Sequence, residues 1–242
     1  MIALTHAMVL AAGLGTRMRP LTDDRPKPLL DLDGRSLLDH ALDRLEDAGV
    51  GQVVVNAHWH GGQIAAALAR RGDSRIAVQM EEDLLETGGG VTLALPKLGA
   101  GPFAVVNGDA FWLDGPTPAL KRLAAAFDPE QMDALLLMVR TTQVDGVVGQ
   151  GDFLLDPLGR MRRPREREIA PYLFAGVQIL SPALFADAPS GAFSLNRLYD
   201  RAIDAGRLFG LVHDGAWFHL STPEDLHNAE TILRAGLARA LF

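Results

Sequence analysis

The fold is constrained most by an alternation of short apolar runs with amphipathic segments of helix length. The apolar runs are short enough for buried strands and lie at residues 7–12, 53–56, 76–79, 103–107, 134–139, 174–180 and 208–212. Between them, residues 36–48, 64–69 and 195–205 carry apolar side chains at helical spacing. This alternation predicts an α/β fold, a Rossmann-like three-layer sandwich with a mostly parallel central sheet and helices on both faces.

Length and composition narrow the classes of protein that this chain can belong to. With 242 residues, 48% of them hydrophobic, we expect a single domain over residues 1–242. A net charge of −7 argues against nucleic acid as a partner. The absence of cysteine is compatible with a cytoplasmic location, and no membrane span or export signal is expected in the first residues because Gly13 and Gly15 interrupt them. Residues 144–171 are irregular and predict a loop over one face.

The first predicted strand ends in a glycine turn followed by cations. In such sheets ligands bind beyond the carboxyl ends of the strands. Gly13 and Gly15 allow close backbone approach, and successive amides in such a turn form an anion site. Arg17 offers a planar fork to phosphate oxygens, whereas Lys27 offers a point charge between two prolines. The turn matches neither a dinucleotide fingerprint nor a P-loop; the alternative to a phosphate site is an ordinary turn with solvated charges.

These residues belong to a longer signature. The run LAAGLGTRMRPLT at residues 10–22, followed by Pro-Lys-Pro at residues 26–28 and by Gly34, closely resembles the signature of sugar-1-phosphate nucleotidyltransferases. The resemblance covers essentially the whole chain. It implies that the turn and Arg17 hold the triphosphate of a nucleotide and that Lys27 neutralises charge at the reacting phosphates. The turn residues concerned are Ala11, Ala12, Gly13, Gly15 and Thr16.

A second strand end leads to the sequence LETGGG at residues 85–90 and to a helix expected to continue to residue 95. Three glycines at a helix start expose amides and permit close approach; a flexible helix start is the alternative. The family resemblance places Gln79 and Gly88 near the base and makes Glu86 a candidate contact for a sugar hydroxyl or the ribose. The LETGGG form looks most like the branch that uridylylates N-acetylmuramic acid 1-phosphate in peptidoglycan recycling.

A third strand end carries Asn107-Gly108-Asp109. The Asp109 carboxylate is a hard oxygen ligand suited to Mg²⁺, which usually keeps waters and substrate phosphates as its other ligands. A turn-forming Asn-Gly-Asp is the alternative. The resemblance makes Asp109 the metal ligand, with Mg²⁺ as the expected cofactor and Mn²⁺ as a second possibility.

Most members of the family pair this aspartate with a second one near the C-terminus. Here the corresponding stretch reads WFHLST at residues 217–222, so His219 stands at the place of the second aspartate. Imidazole is a poor ligand for magnesium and suits softer ions. Three interpretations stay open: His219 binds the metal through water, shifts the preference toward manganese, or marks a lineage with one metal-binding carboxylate. A purely structural histidine is the alternative.

The sugar side of the site departs from the family pattern. The Glu-Lys-Pro segment of the family corresponds to MRRPRER at residues 161–167, where the lysine is missing. Arg163, which precedes a proline, is the candidate replacement, with a solvated basic loop as the alternative. Gly176 matches the family's turn at the sugar phosphate. Asn107 is a further sugar-phosphate candidate, and Asp152 and Asn196 have weaker support.

The resemblance implies transfer of a nucleoside monophosphate, most readily UMP from UTP, to a sugar 1-phosphate, most readily N-acetylmuramic acid 1-phosphate. The partners are then a nucleoside triphosphate and a sugar 1-phosphate, in a monomer or a small homo-oligomer. A mannose-1-phosphate guanylyltransferase and a glucose-1-phosphate thymidylyl- or uridylyltransferase are the nearest alternative enzymes. A nucleotide-sugar binding protein without turnover is the alternative of another class, which the His219 substitution keeps open.

Overall fold

A computed structural model of the chain describes residues 2–144 and 149–236. Its strands, numbered in chain order, are β1 His6–Leu10, β2 Asp31–Leu32, β3 Arg35–Ser36, β4 Gln52–Ala57, β5 Ile76–Met80, β6 Phe103–Asn107, β7 Phe111–Leu113, β8 Ala134–Arg140, β9 Leu154–Leu155, β10 Met161–Arg162, β11 Tyr172–Leu180, β12 Leu208–Val212 and β13 Ala216–Phe218. Its α-helices are α1 Leu37–Asp47, α2 Gly61–Arg71, α3 Glu86–Ala94, α4 Ala119–Ala126, α5 Asn196–Asp204 and α6 Pro223–Arg234.

Seven strands form the central sheet, in the order β12-β8-β11-β6-β1-β4-β5. β11 runs antiparallel to its neighbours β6 and β8, and the other neighbouring pairs are parallel. The predicted α/β fold with a mostly parallel sheet is therefore confirmed. The carboxyl ends of β1, β4 and β6 meet at one edge, where Leu10 pairs with Asn56 on one side and with Asn107 on the other.

The two faces of the sheet carry separate cores, because successive side chains of a strand point to opposite faces. On one face, Ala7 and Val9 of β1 belong to a cluster with buried residues of α1, α2 and α4. On the other face, Met8 belongs to a cluster with buried residues of α3 and α5. Helices thus cover both faces of the sheet, as a three-layer sandwich requires.

A third apolar cluster lies beside the edge of the sheet at which β1, β4 and β6 end. The short antiparallel pair β7 and β13 packs there against α6, with Phe111, Phe218 and Leu226 buried among its members. The helix is well specified at its start, because Thr222 and Asp225 form a capping box and Pro223 occupies the first turn. This packing fixes the chain around His219.

Some expectations about elements need correction. β1 ends at Leu10, two residues before the expected position, because the Ala11 amide donates to the side chain of Asn56 and leaves the ladder. α4 and the short strand pairs were not predicted from the sequence. Within residues 144–171, β9 and β10 form a small antiparallel hairpin where a loop was expected, while residues 145–148 lie outside the described part of the chain.

Across the two described ranges, no helix combines the length and the apolar character needed to cross a membrane.

Candidate active site

A cavity of about 520 Å³ opens at the carboxyl edge of the sheet. Its lining includes the backbone that follows β1 and residues at the start of α3. The predicted nucleotide residues that line it are Ala11, Ala12, Gly13, Gly15, Thr16, Arg17 and Asp109. The sequence segments that resemble a phosphate-binding signature therefore surround one space large enough for a small ligand.

The glycine turn is held in place by a buried threonine. Gly15 has a φ of 62°, in the left-handed region that favours glycine. A Cβ at Gly15 would lie 3.1 Å from the Cβ of Lys27 and 3.2 Å from Cγ2 of Thr22. Thr22 is fully buried, and its hydroxyl donates to the Gly15 carbonyl at 2.8 Å. The turn and the segment that carries Lys27 are thus packed directly against each other.

A second cavity of about 390 Å³ adjoins the first. Its lining includes Gly176 and the end of β13, and the two cavities share Arg17, Lys27, Asn107, Asp109 and Ser221. A pair of neighbouring spaces with cationic side chains in the common wall can hold two anionic ligands whose charged ends meet.

Lys27 and Asp109 form an ion pair in that common wall. The Lys27 Nζ donates to Oδ2 of Asp109 at 2.6 Å. The lysine side chain is 12% exposed and the aspartate side chain 38% exposed. Gly108 permits the arrangement, since its amide donates to the Leu10 carbonyl at 2.8 Å and a Cβ there would lie 2.9 Å from that oxygen. The close approach of the chain after β6 to the end of β1 brings Asp109 to Lys27.

The glycines of α3 have a different role from the one expected. Gly88 and Gly89 were expected to expose amides to a ligand, but both amides donate to the Phe193 carbonyl, at 2.8 Å and 3.2 Å. A Cβ at Gly88 would lie 2.3 Å from the Phe193 ring. The glycines therefore allow the chain around Phe193 to pack onto α3, and Gly88 itself does not line the cavity.

Glu86 opens α3 and lines the first cavity. Its φ of 56° is unusual for a residue with a side chain, and such strain persists where the surrounding structure enforces it. The exposed carboxylate is available to a ligand in the cavity.

Gln79 lies beneath the cavity wall instead of facing the space. It is buried, and its Nε2 donates to the Gly90 carbonyl at 3.0 Å. Asn56, which the sequence analysis missed, is 2% exposed; its Oδ1 accepts from the Ala11 amide and its Nδ2 donates to Glu81. Its position at the end of β4, next to the glycine turn, is the signal that could have identified it.

On the sugar side, Gly176 lines the second cavity with a φ of 80°. A Cβ there would lie 3.1 Å from Nδ2 of Asn107, so glycine keeps that amide open to the space. Asp152 also lines this cavity, and its Oδ2 accepts from the Phe174 amide at 2.9 Å.

Arg163 lines neither cavity. Its Nε donates to Asp200 at 2.9 Å, its Nη2 donates to Asn196 at 2.7 Å, and its guanidinium lies 4.3 Å from the centre of the Phe153 ring. Arg163 was the expected contact of the sugar phosphate, but these two hydrogen bonds hold its side chain against α5.

His219 lines the second cavity together with Asp109, with its ring 5.7 Å from that of Trp217. Among the residues described, no three His, Asp or Glu side chains are grouped to hold a metal ion. Magnesium takes one or two carboxylates and completes its shell with waters and substrate phosphates. The exposed part of Asp109 beside the phosphate space therefore fits a magnesium ion that binds with a nucleotide, but not a metal held by protein ligands alone.

The comparisons with known proteins agree with this geometry. A family profile for the MobA-like NTP transferase domain matches residues 7–193. The chain is 44% identical over 232 residues to the N-acetylmuramate alpha-1-phosphate uridylyltransferase of Caulobacter vibrioides, covering 94% of this chain and 96% of that protein. It is 36% identical over 233 residues to the enzyme of the same name from Neisseria meningitidis serogroup B, covering 95% and 98%.

A solved structure shares the fold. HddC from Yersinia pseudotuberculosis, complexed with GMP-PN, superposes with a TM-score of 0.74 at 23% identity, covering 95% of this chain and 100% of that one. The sequence signature, the two adjoining cavities and these similarities lead to one conclusion: the chain is a nucleotidyltransferase and belongs to the family with a MobA-like NTP transferase domain.

Proposed function

We propose that this enzyme transfers UMP from UTP to N-acetylmuramic acid 1-phosphate and releases pyrophosphate. The observation that carries the proposal is the Lys27–Asp109 pair in the wall shared by the two cavities. UTP in the first cavity and a sugar 1-phosphate in the second would bring their phosphates together at this pair. The choice of UTP and of the muramyl sugar follows the two similar uridylyltransferases.

The reaction needs one displacement at phosphorus. An oxygen of the sugar phosphate attacks the α-phosphorus of UTP in line, a new P–O bond forms, and the bond to the bridging oxygen breaks as pyrophosphate leaves with the electron pair. The attacking phosphate is largely ionised near pH 7, so a general base is not required. Catalysis is then mainly a matter of positioning and charge neutralisation.

Each of the site residues has a part in this scheme. The glycine turn and Arg17 bind the triphosphate, and the Lys27 ammonium neutralises charge at the reacting phosphates. Asp109 would hold Mg²⁺, or Mn²⁺ in its place, and such an ion supplies further neutralisation of phosphate charge when bound. Glu86 contacts a hydroxyl, while Gln79 and Gly88 shape the base region from behind.

The sugar phosphate has its own contacts in the proposal. The Asn107 amide and the backbone at Gly176 meet it in the second cavity. Arg163 would contribute only after it leaves Asp200 and Asn196 on α5. We propose that the reaction belongs to cytoplasmic recycling of cell-wall sugars: the acceptor named for the similar enzymes is a muramyl sugar, and a cysteine-free sequence is compatible with the cytoplasm.

The test is pyrophosphate release with Mg²⁺ over a grid of five nucleoside triphosphates and four sugar 1-phosphates. The nucleotides are UTP, GTP, dTTP, ATP and CTP, and the sugars are muramyl, glucosyl, N-acetylglucosaminyl and mannosyl 1-phosphates. A strong signal for UTP with the muramyl sugar alone supports the proposal. A signal for GTP with mannose 1-phosphate, or for dTTP or UTP with glucose 1-phosphate, would assign another substrate pair, and silence repeated with Mn²⁺ would point to a binding protein.

A further inference from the structure

The loop between β4 and α2, together with the start of α2, contacts residues 22–24, which follow the glycine turn, and the reaction scheme gives these contacts no role. Two side chains of this loop and one from the first turn of α2 bind the three successive backbone carbonyls of residues 22–24. Trp59 Nε1 donates to the Thr22 carbonyl at 3.4 Å, His60 Nε2 to the Asp23 carbonyl at 3.2 Å, and Gln63 Nε2 to the Asp24 carbonyl at 2.6 Å. We refer to Trp59, His60 and Gln63 as the loop clamp.

The clamped carbonyls belong to the chain that joins Arg17 to Lys27. Thr22 is the link to the cavity, because its backbone carbonyl accepts from the clamp while its hydroxyl donates to the Gly15 carbonyl. Gly15 in turn packs against the Cβ of Lys27. A displacement of residues 22–24 would therefore be transmitted to both ends of the phosphate-binding segment.

The clamp is itself anchored in the sheet. β4, which precedes it, is a central strand between β1 and β5. The neighbouring His58 donates through Nδ1 to the Glu81 carbonyl at 3.0 Å, which connects the loop to the end of β5. His60 has a φ of 48°, a conformation that costs free energy and that the surrounding contacts must hold. The Trp59 and His60 rings lie edge to face with centroids 4.5 Å apart, so the two donors are oriented together.

We propose that the loop clamp positions the glycine turn, and the segment that leads from it to Lys27, in the conformation competent to bind the nucleotide triphosphate. None of its three side chains lines either cavity, so they act on the nucleotide through the backbone of residues 22–24. If the competent conformation is populated only in part, the apparent dissociation constant rises by the reciprocal of that fraction. This inference rests on the proposed placement of the triphosphate in the first cavity.

The test uses substitutions that remove each donor or move it out of reach of its carbonyl. Trp59→Phe keeps an aromatic ring, Gln63→Leu keeps a side chain of similar bulk without a donor, and His60→Asn tolerates the left-handed backbone but is too short to reach Asp23. Gln52→Leu is the matched control, because Gln52 is exposed at the opposite end of β4. UTP binding in the presence of Mg²⁺ is measured by calorimetry, and steady-state constants are measured for both substrates.

Each lost hydrogen bond should weaken UTP binding by roughly threefold to tenfold, and the Trp59→Phe/Gln63→Leu double variant should weaken it further. The KM for the sugar phosphate at saturating UTP should stay within about twofold of wild type, as should kcat at saturation, because bound UTP selects the competent conformation of the whole segment from Arg17 to Lys27. Gln52→Leu should bind UTP like the wild type. The proposal would be overturned by a folded double variant that binds UTP with unchanged affinity, or whose affinity falls equally for both substrates.

The same experiment separates this inference from the proposed function. If the substrate grid selects another nucleotide, the choice of UTP is wrong and the clamp is tested with the selected nucleotide. If the wild type binds no nucleoside triphosphate, both proposals fail.

Discussion

Lys27 places a positive charge in the wall shared by the two cavities. It is almost withdrawn from solvent, it pairs with Asp109, and its backbone is restricted by the prolines at positions 26 and 28. A charge held in this way needs little reorganisation when phosphate charge develops nearby, which is the condition under which a single donor has a large effect on rate.

The first prediction concerns this lysine. Lys27→Ala should lower kcat by about 10²-fold or more, because charge that develops at the reacting phosphates loses its nearest cation. Pyrophosphate release under saturating substrates measures the effect. Arg25→Ala, at an exposed arginine two residues away, is the control and should stay close to wild type. Unchanged turnover in Lys27→Ala would remove this residue from the reacting phosphates.

The second prediction concerns His219, which lines the second cavity with Asp109. His219→Asp introduces the carboxylate that the family resemblance leads one to expect at this position, and a hard oxygen is the better magnesium ligand. The Mg²⁺ concentration that gives half-maximal activity should therefore fall. A metal titration of both forms with Mg²⁺ and Mn²⁺ measures this, and an unchanged Mg²⁺ requirement would place His219 outside the metal's surroundings.

At the scale of elements, α3 depends on close packing that only glycine permits. Its first turn lies against the chain around Phe193, and Leu195 donates its amide to the Thr87 hydroxyl at 2.9 Å. Buried interiors have little free volume, so an added methyl group must displace a neighbour. The cavity wall that includes Glu86, Thr87 and Ser194 depends on this contact.

The third prediction follows from that packing. Gly88→Ala should destabilise the protein by about 1–3 kcal/mol, because the new Cβ would overlap the Phe193 ring. Gly62→Ala is the matched control: a Cβ there meets no atom within 4 Å, and alanine is the better helix former by about 1 kcal/mol. Urea unfolding of the two variants should give changes of opposite sign. A Gly88→Ala protein as stable as the wild type would show that the loop yields without cost.

At the scale of the whole molecule, stability depends on pH through buried titratable groups. His213, 3% exposed, lies between β12 and β13. Burial lowers the pKa of His213 below its ordinary value of 6.5, and a hydrogen bond to the Leu113 carbonyl works against part of that shift. The unfolded chain therefore binds this proton more readily than the folded one. The stabilising contribution is complete above about pH 6.5 and declines as pH falls below that value.

The fourth prediction concerns the slope of the free energy of unfolding against pH. Between about pH 6.5 and 5, the free energy of unfolding should fall by up to about 1.4 kcal/mol per pH unit from this residue. His213→Asn should flatten the slope, whatever its effect on stability at neutral pH. His227→Asn, at an exposed position of α6, should leave it unchanged. Equal slopes in all three proteins would show that the pKa of His213 does not differ between the folded and the unfolded chain.

The fifth prediction concerns domain organisation. One seven-stranded sheet connects both apolar cores, so we expect residues 1–242 to unfold in a single cooperative transition. Calorimetry should give equal calorimetric and van't Hoff enthalpies. Two resolved transitions would divide the chain into two domains.

The sequence by itself determined the α/β class and the edge of the sheet where the site lies. Apolar runs of strand length between amphipathic helices leave few folds, and the ends of parallel strands gather at one edge. The glycine turn and Asp109 could therefore be expected to meet, although Lys27 and Asp109 are 82 residues apart in the chain.

Only the tertiary structure decided how the individual side chains are used. It directed Arg163 to α5, set Gly88 against Phe193, placed Gln79 beneath the cavity wall and turned Asn56 toward Ala11. The physical reason is that such contacts depend on angstrom-scale distances and donor directions between segments far apart in sequence. Residue spacing along the chain fixes the periodicity of a strand or a helix, but it carries no information about those distances.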